Sequence, residues 1–513
     1  MLLHEVVTTS GAVAATRSRL AKVRALAGLL GQAGPGEVEP AVAFLSGTPR
    51  QGRTGAGYRT LSELAVTPAA QPSLTVEHVD TLLEALSATG GKGSVQRRAE
   101  LLTELFGAAT GAEQEFLRRL LTGELRQGAL EGVMLDAIAA AAEVPAEPVR
   151  RAFMLSGRLP VTAVAALSGG EAALAEFRLQ VGRPVRPMLA APAESLPAAL
   201  AELGECIVEY KMDGARIQVH KDDSGVLVFT RTLRDITAGV PELVELVRGL
   251  PCRSVVLDGE TLALTDDGKP RPFQETMSRF GATSARELLL QPYFFDCMHL
   301  DGVDLLDAPL SERHEALGKA VGEHVIPGAV GPDGDAAQQL LADALEAGHE
   351  GVLVKSLDSL YAAGRRGKAW QKVKPEHTLD LVVLAAEWGH GRRTGYLSNL
   401  HLGARDPDGG PPIMVGKTFK GMTDELLAWQ TRELQAIQSG ESGTDQAWVV
   451  RVRPEFVVEI ELDGAQVSPR YPGGVALRFA RVLRYRPDKD AADADTIDAV
   501  RALLPGKGGP VES

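Results

Sequence analysis

Residues 205–216 read Glu205-Cys206-Ile207-Val208-Glu209-Tyr210-Lys211-Met212-Asp213-Gly214-Ala215-Arg216, and the reading of this stretch decides the fold. Ile207 and Val208 lie in an apolar run of strand type that stops at the Asp213-Gly214 turn. Side chains alternate along a strand, so Glu209 and Lys211 share one face while Val208 and Tyr210 share the other. A carboxylate and an amine therefore stand side by side at a strand end, before a glycine turn where a ligand can approach the backbone. A lysine kept neutral there by burial or nearby positive charge acts as a nucleophile.

Working outward, Ile217 and Val219 alternate with Gln218 and His220, Asp222-Asp223-Ser224-Gly225 makes a turn, and residues 226–229 return as a second strand. This hairpin delivers Arg231 back toward Lys211. Further on come Asp258-Gly259-Glu260, Tyr293-Phe294-Phe295-Asp296, Glu350-Gly351-Val352-Leu353-Val354-Lys355 and Trp370-Gln371-Lys372-Val373-Lys374. Near the end stand Arg478-Phe479-Ala480-Arg481 and Arg486-Pro487-Asp488-Lys489. This ordered series resembles the motifs of the lysine nucleotidyltransferases, and in particular the ATP-dependent DNA ligases. The resemblance runs from about Glu209 to Lys489, and a weaker one reaches into the first third.

The resemblance implies three domains: residues 1–183, an all-α DNA-binding domain; 184–376, an α+β nucleotidyltransferase (adenylation) domain of ATP-grasp-like type; and 377–513, a β-barrel of the OB type. It implies that Lys211 attacks the α-phosphate of ATP and becomes a Lys–AMP phosphoramidate. Lys372, Lys374 and a metal ion would keep that amine unprotonated, and Arg366 with Trp370 completes the pattern around them. Glu209 would read the adenine amino group, Phe295 rather than Phe294 would stack on the purine, and Arg216 and Arg231 would hold ribose or phosphate. Asp258, Glu260 and Glu350 are carboxylates at strand ends, natural Mg²⁺ ligands beside phosphates, and the resemblance singles out Glu260 and Glu350. Arg486 and Lys489 would reach the β- and γ-phosphates when the barrel closes over the site. One departure is visible: Ala480 stands where the ligases usually carry proline.

Residues 1–180 read as mostly helical: Leu20, Val23, Leu26 and Leu29-Leu30 recur at helical spacing, as do Leu101, Leu105, Phe116, Leu120 and Leu121. Two glycine–arginine loops, at 50–55 and 123–128, suit DNA phosphates or plain interhelical turns. Gly182-Arg183-Pro184-Val185-Arg186-Pro187 breaks the helical pattern and sets the first boundary. Leu340, Leu341 and Leu345 mark a helix closed by Gly348. After Leu381 five short strands are expected, at 381–384, 400–402, 413–415, 448–452 and 457–461, with one helix capped by Thr423. That count suits a small barrel. A last helix is expected after Thr496, and a polar tail from Gly506.

The chain has 513 residues, 44% hydrophobic and 24% charged, with a formal net charge of −13. Residues 1–186 carry 19 Lys and Arg against 18 Asp and Glu, so the acidity lies downstream and a basic face for nucleic acid remains open. The three cysteines, Cys206, Cys252 and Cys297, are too few for a Cys₄ zinc site, which an NAD-dependent ligase would carry. They suit a reducing cytoplasm, and no signal peptide or membrane-spanning run is seen. The expected partner is nicked duplex DNA, met by a monomer. An RNA ligase is the remaining alternative. A capping guanylyltransferase lacks the helical first third, and a non-catalytic DNA-binding scaffold would not need the intact lysines and carboxylates.

Overall fold

A computed structural model describes the chain except residues 53, 126–130, 266–267, 272–275, 277–288, 364–365, 376, 440–447 and 505–513, and the side chains of Arg366 and Arg392. Residues 126–128 of the expected loop at 123–128, and the polar tail from Gly506, lie outside the described residues.

The described residues up to 174 fold mostly as helices around one core that includes Leu26, Leu30, Phe44, Leu101, Leu105, Phe116 and Ile138. Local chemistry sets the ends. In the helix Gly111–Thr122, the Thr110 hydroxyl accepts from the Glu113 N–H while Glu113 reaches back to the Thr110 N–H, and Gly123 ends it with φ +73°. At the start of the other expected loop, Arg50 pairs with Asp80 at 2.7 Å and Glu84 at 3.0 Å, both on the helix Val76–Ala88.

After the helices, the chain lies along the hairpin. Val185 N–H donates to the Gln218 side chain at 2.8 Å, and Gly182 N–H donates to His220 Nδ1 at 3.0 Å. His220 Nε2–H in turn donates to Gln218 Oε1 at 2.9 Å. Burial holds the imidazole neutral, its pKa pushed down to about 3.

The central region is two antiparallel-rich sheets facing each other. The first runs in the order Leu189–Pro192, Arg366–Val373, Gly351–Ser356, Cys206–Lys211, Gly328–Val330. The second runs Gly225–Thr230, Ala215–Asp222, Val255–Ala263, Leu290–Leu300, Val303–Asp304. The helices Leu196–Leu203 and Gly334–Glu346 cover one face of the first sheet. The helices Pro241–Arg248 and Leu310–Val321 cover the second. A third apolar cluster contains Met188, Met212, Phe295, Tyr361 and Trp370. Met154 and Leu155 from the helix Ala146–Ser156 join it, so the helical region is packed onto the central one.

The C-terminal sheet runs Ile413–Thr418, Leu397–Ala404, His377–Trp388, Val457–Leu462, Arg481–Tyr485, with Val449–Arg451 also on His377–Trp388. It curls toward closure where Val482 N–H donates to Lys420 O at 3.1 Å and the Thr418 hydroxyl donates to Ala480 O at 2.5 Å. The helix Asp424–Ala436 starts at Thr423 as expected, its hydroxyl accepting from the Leu426 N–H. Five strands were expected here and more are present: Gly464–Val467, Val475–Arg478 and Arg481–Tyr485 escape the pattern. They are only four or five residues long, too short to carry an apolar alternation to read.

Candidate active site

Lys211 ends the strand Cys206–Lys211, paired in register with Gly351. Glu350 N–H donates to Lys211 O at 2.9 Å, and this backbone bond brings the Glu350 carboxylate against the Lys211 amine as an ion pair. Two glycines permit the approach. A Cβ on Gly214 would lie 2.5 Å from Thr261 O, and one on Gly351 (φ +141°) would collide with Val373 O. The Asp-Gly and Glu-Gly of the sequence pattern are thus steric requirements of two sheets meeting at one lysine.

The lysine lines a cleft of about 720 Å³ between the sheets, within the range of small-molecule sites. Of the residues expected from sequence, Lys211, Arg216, Arg231, Glu260, Phe295 and Lys372 line it. Thr230, Thr232, Arg234 and Phe479 line it too, and sequence reasoning had not named them for this. The first three follow from the hairpin, whose second strand must empty its loop into the cleft.

Arg216 donates Nε to Asp258 Oδ1 at 3.0 Å and Nη2 to Asp258 Oδ2 at 2.6 Å. Burial works against the guanidinium charge, but Asp258 more than offsets it and the pKa is raised. Asp258 is therefore committed to Arg216 and is not an available metal ligand in this arrangement, contrary to one sequence expectation. Glu260 differs: burial pushes its carboxyl up to about 8, against the opposing charges of Arg216 and Lys211, with Asp258 and Asp213 adding to the rise.

Several expected residues stand elsewhere. Glu209 is fully buried and pairs with Lys355 at 2.5 Å rather than lining the cleft. Its pKa is raised, first by burial and against the pull of Lys355. Lys355 is equally buried, with its amine 4.5 Å from the Phe295 ring centroid and 4.3 Å from that of Trp370. This buried cation behind the aromatic wall was not singled out from sequence. The signal was there, since alternation in Val352-Leu353-Val354-Lys355 puts Lys355 on the face opposite Val352 and Val354.

Lys374 lies just past the end of its strand and pairs with Asp463 of the C-terminal sheet domain, so the expected convergence of Lys372 and Lys374 on one phosphate is not present in this arrangement. The immediate partner of Lys211 is a carboxylate rather than a pair of lysines. Arg486 and Lys489 are held within their own domain by Asp380, at 3.0 Å and 2.6 Å. Instead, Arg478 reaches the catalytic side, donating to Asp213 at 2.6 Å with Glu350 3.6 Å away. The Arg366 side chain lies outside the described residues.

Comparison with known proteins bears on this geometry. The sequence profile described as "ATP dependent DNA ligase domain" matches residues 187–374, "DNA ligase N terminus" matches 58–139, and "ATP dependent DNA ligase C terminal region" matches 393–489. A "Probable DNA ligase" of Saccharopolyspora erythraea is 69% identical over 503 residues, covering 98% of each chain. The chain belongs to the ATP-dependent DNA ligases. A "Probable DNA ligase" of Rhodococcus jostii is 68% identical over 507 residues, covering 99% of this ligase and 100% of that one. A solved structure described as Pmar-Lig_PreS3 has the same fold at a TM-score of 0.60 and 17% identity, over 94% of this ligase and 99% of that chain. No helix among the described residues is long and apolar enough to cross a membrane.

Proposed function

We propose that this ligase seals nicks in duplex DNA through a Lys211–AMP intermediate. In the first step the Lys211 Nζ–P bond forms at the α-phosphate of ATP as the bond to the β-phosphate breaks. Pyrophosphate leaves with the electron pair, and the amine gives up a proton. In the second, an oxygen of the DNA 5′-phosphate takes the AMP and the N–P bond breaks. In the third, the 3′-hydroxyl attacks the 5′-phosphorus and AMP departs. One observation carries the reading: the strand-end amine of Lys211 opens on a cleft with Arg216, Arg231, Phe295 and Lys372 around it.

The residues divide the work. Phe295 supplies an apolar face for the purine, and Lys372 with Arg231 and Arg216 supplies positive charge for ribose and phosphate. The Glu350–Lys211 pair must open before attack, because an amine that holds its proton against a carboxylate has no lone pair to offer. Glu209, enclosed with Lys355, supports the aromatic wall from behind. Lys374, Arg486 and Lys489 join the site after the barrel moves and exchanges Asp463 and Asp380 for phosphates.

The Mg²⁺ expected with ATP fits this donor set. Glu260 lines the cleft with its carboxyl pushed up to about 8 by burial, and Glu350 stands between the Lys211 amine and the Arg478 guanidinium. Two carboxylates suit an ion that keeps waters and rides on substrate phosphates, where it would neutralise charge.

We further propose the division 1–183, 184–376 and 377–513, a monomer acting on nicked duplex DNA, and work in DNA replication, recombination or repair. Three free cysteines are compatible with the cytoplasm. The test is a singly nicked, end-labelled duplex incubated with Mg²⁺ and either ATP, GTP or NAD. Sealing with ATP alone is expected; sealing with NAD alone, or of nicked RNA but not DNA, would overturn the reading.

A further inference from the structure

We propose that Tyr361 is a positioning residue for adenylyl transfer, its hydroxyl fixing the Asp258–Arg216 pair that presents Arg216 to the nucleotide cleft. The inference rests on the nucleotide reading of that cleft. Tyr361 follows the strand Gly351–Ser356 and is 2% exposed. Its hydroxyl donates to Asp258 Oδ2 at 2.6 Å and accepts from the Met188 N–H at 3.2 Å. The same Oδ2 receives Arg216 Nη2 at 2.6 Å, and Oδ1 receives Arg216 Nε at 3.0 Å. The hydroxyl thus joins the strand Val255–Ala263, through Asp258, to the chain just before the strand Leu189–Pro192, through Met188, and the shared Asp258 Oδ2 links it to the guanidinium that lines the cleft.

The two strands belong to different sheets, so the hydroxyl spans the two walls between which the nucleotide would bind. Without it, Asp258 is held by Arg216 alone, and the pair can swing as a unit. The Met188 N–H would also lose its partner in a buried setting. The ring plays a separate part. It packs edge-on against Trp370, with centroids 6.1 Å apart, and beneath Arg313 at 5.9 Å, contacts that phenylalanine preserves. Burial, reinforced by Asp258, holds the hydroxyl pKa well above its ordinary value, so it stays a donor throughout the working pH range.

The test is Tyr361→Phe in the full chain, with self-adenylylation by labelled ATP and Mg²⁺ followed against ATP concentration. The half-saturating ATP concentration should rise roughly tenfold, the scale of one hydrogen bond to a charged group, with a smaller change in maximal rate. Asp258→Asn, reaching the pair from the other side, should give the same direction of shift. In an Arg216→Gln background, adding Tyr361→Phe should cost nothing further, because both act through one guanidinium. An unchanged ATP dependence in Tyr361→Phe, or fully additive losses in the double variant, would overturn the role of Tyr361 while leaving the nucleotide reading intact. A wild-type protein that takes no label from ATP would overturn both.

Discussion

Arg478, on a strand of the C-terminal domain, donates Nη1 to Asp213 Oδ2 at 2.6 Å and Nη2 to Asp213 Oδ1 at 3.3 Å, gripping the turn that follows Lys211. Glu350, the partner of Lys211, is 3.6 Å from the same guanidinium. Together with the Lys374–Asp463 pair, this fastens the barrel to the catalytic sheets in an orientation that leaves Arg486 and Lys489 on Asp380. Closure of those two cations over a triphosphate therefore requires the Arg478 and Asp463 contacts to break.

Arg478→Ala combined with Asp463→Ala should loosen that docking. Small-angle scattering of the free protein is expected to give a larger radius of gyration than wild type at low salt. The wild type should approach it as salt rises, since these partly exposed pairs are screened. Identical curves at all salt concentrations would mean that other contacts set the orientation.

Pyrophosphate is present only in the first chemical step, so residues that hold it matter only there. Lys489→Ala should cripple labelling by ATP yet still seal a nick that already carries a 5′-AMP. Lys372→Ala should fail at both, because the α-phosphate persists through the reaction. Loss of pre-adenylylated sealing in Lys489→Ala, as complete as its loss of labelling, would reassign that stretch to gripping DNA.

Glu260 makes stability depend on pH. It faces Arg216 and Lys211 on one hand and Asp258 and Asp213 on the other, and burial leaves its carboxyl at about 8. Its folded-state value lies above the unfolded one. Its contribution is therefore fully present below the ordinary carboxyl range and is lost as pH climbs toward about 8. Without added metal or nucleotide, wild type should lose roughly 1–3 kcal/mol relative to Glu260→Gln between about pH 5 and about pH 8.5. A difference in thermal midpoint that stays constant across that range would contradict the assignment.

The Glu209–Lys355 pair has both members fully buried, so removing one leaves the other uncompensated. Lys355→Ala should cost about 3–5 kcal/mol in denaturant unfolding, while Glu209→Gln with Lys355→Met should cost clearly less. Equal losses would mean that the pair is more exposed than its geometry indicates.

The sequence was most legible where backbone constraint and chemistry coincide. Lys211, Gly214 and Glu350 could be found because the close approach of two sheets admits only particular residues there, and the hairpin that carries Arg216 and Arg231 alternates cleanly. What could not be read was which partner each charge takes. Lys374 and Asp463 are 89 positions apart in the chain, and Arg486 and Lys489 find Asp380 across a sheet. The first pairing depends on domain orientation and the second on strand order within one sheet, and no local pattern encodes either. Tyr361 gave no signal for a similar reason: its hydroxyl matters only because Met188 and Asp258 converge on it from distant strands. The strands Gly464–Val467 and Val475–Arg478 pair with each other as a short hairpin, each four residues long and too short for a periodic pattern.

The central claim is that Lys211 carries the AMP. Incubation with α-labelled ATP and Mg²⁺, followed by denaturing digestion and mass spectrometry, tests it directly. The expected result is a single AMP on the peptide containing Lys211 in the wild type, and none anywhere in Lys211→Ala, which should still bind nicked DNA. AMP on a different lysine, or undiminished labelling of Lys211→Ala, would contradict the account.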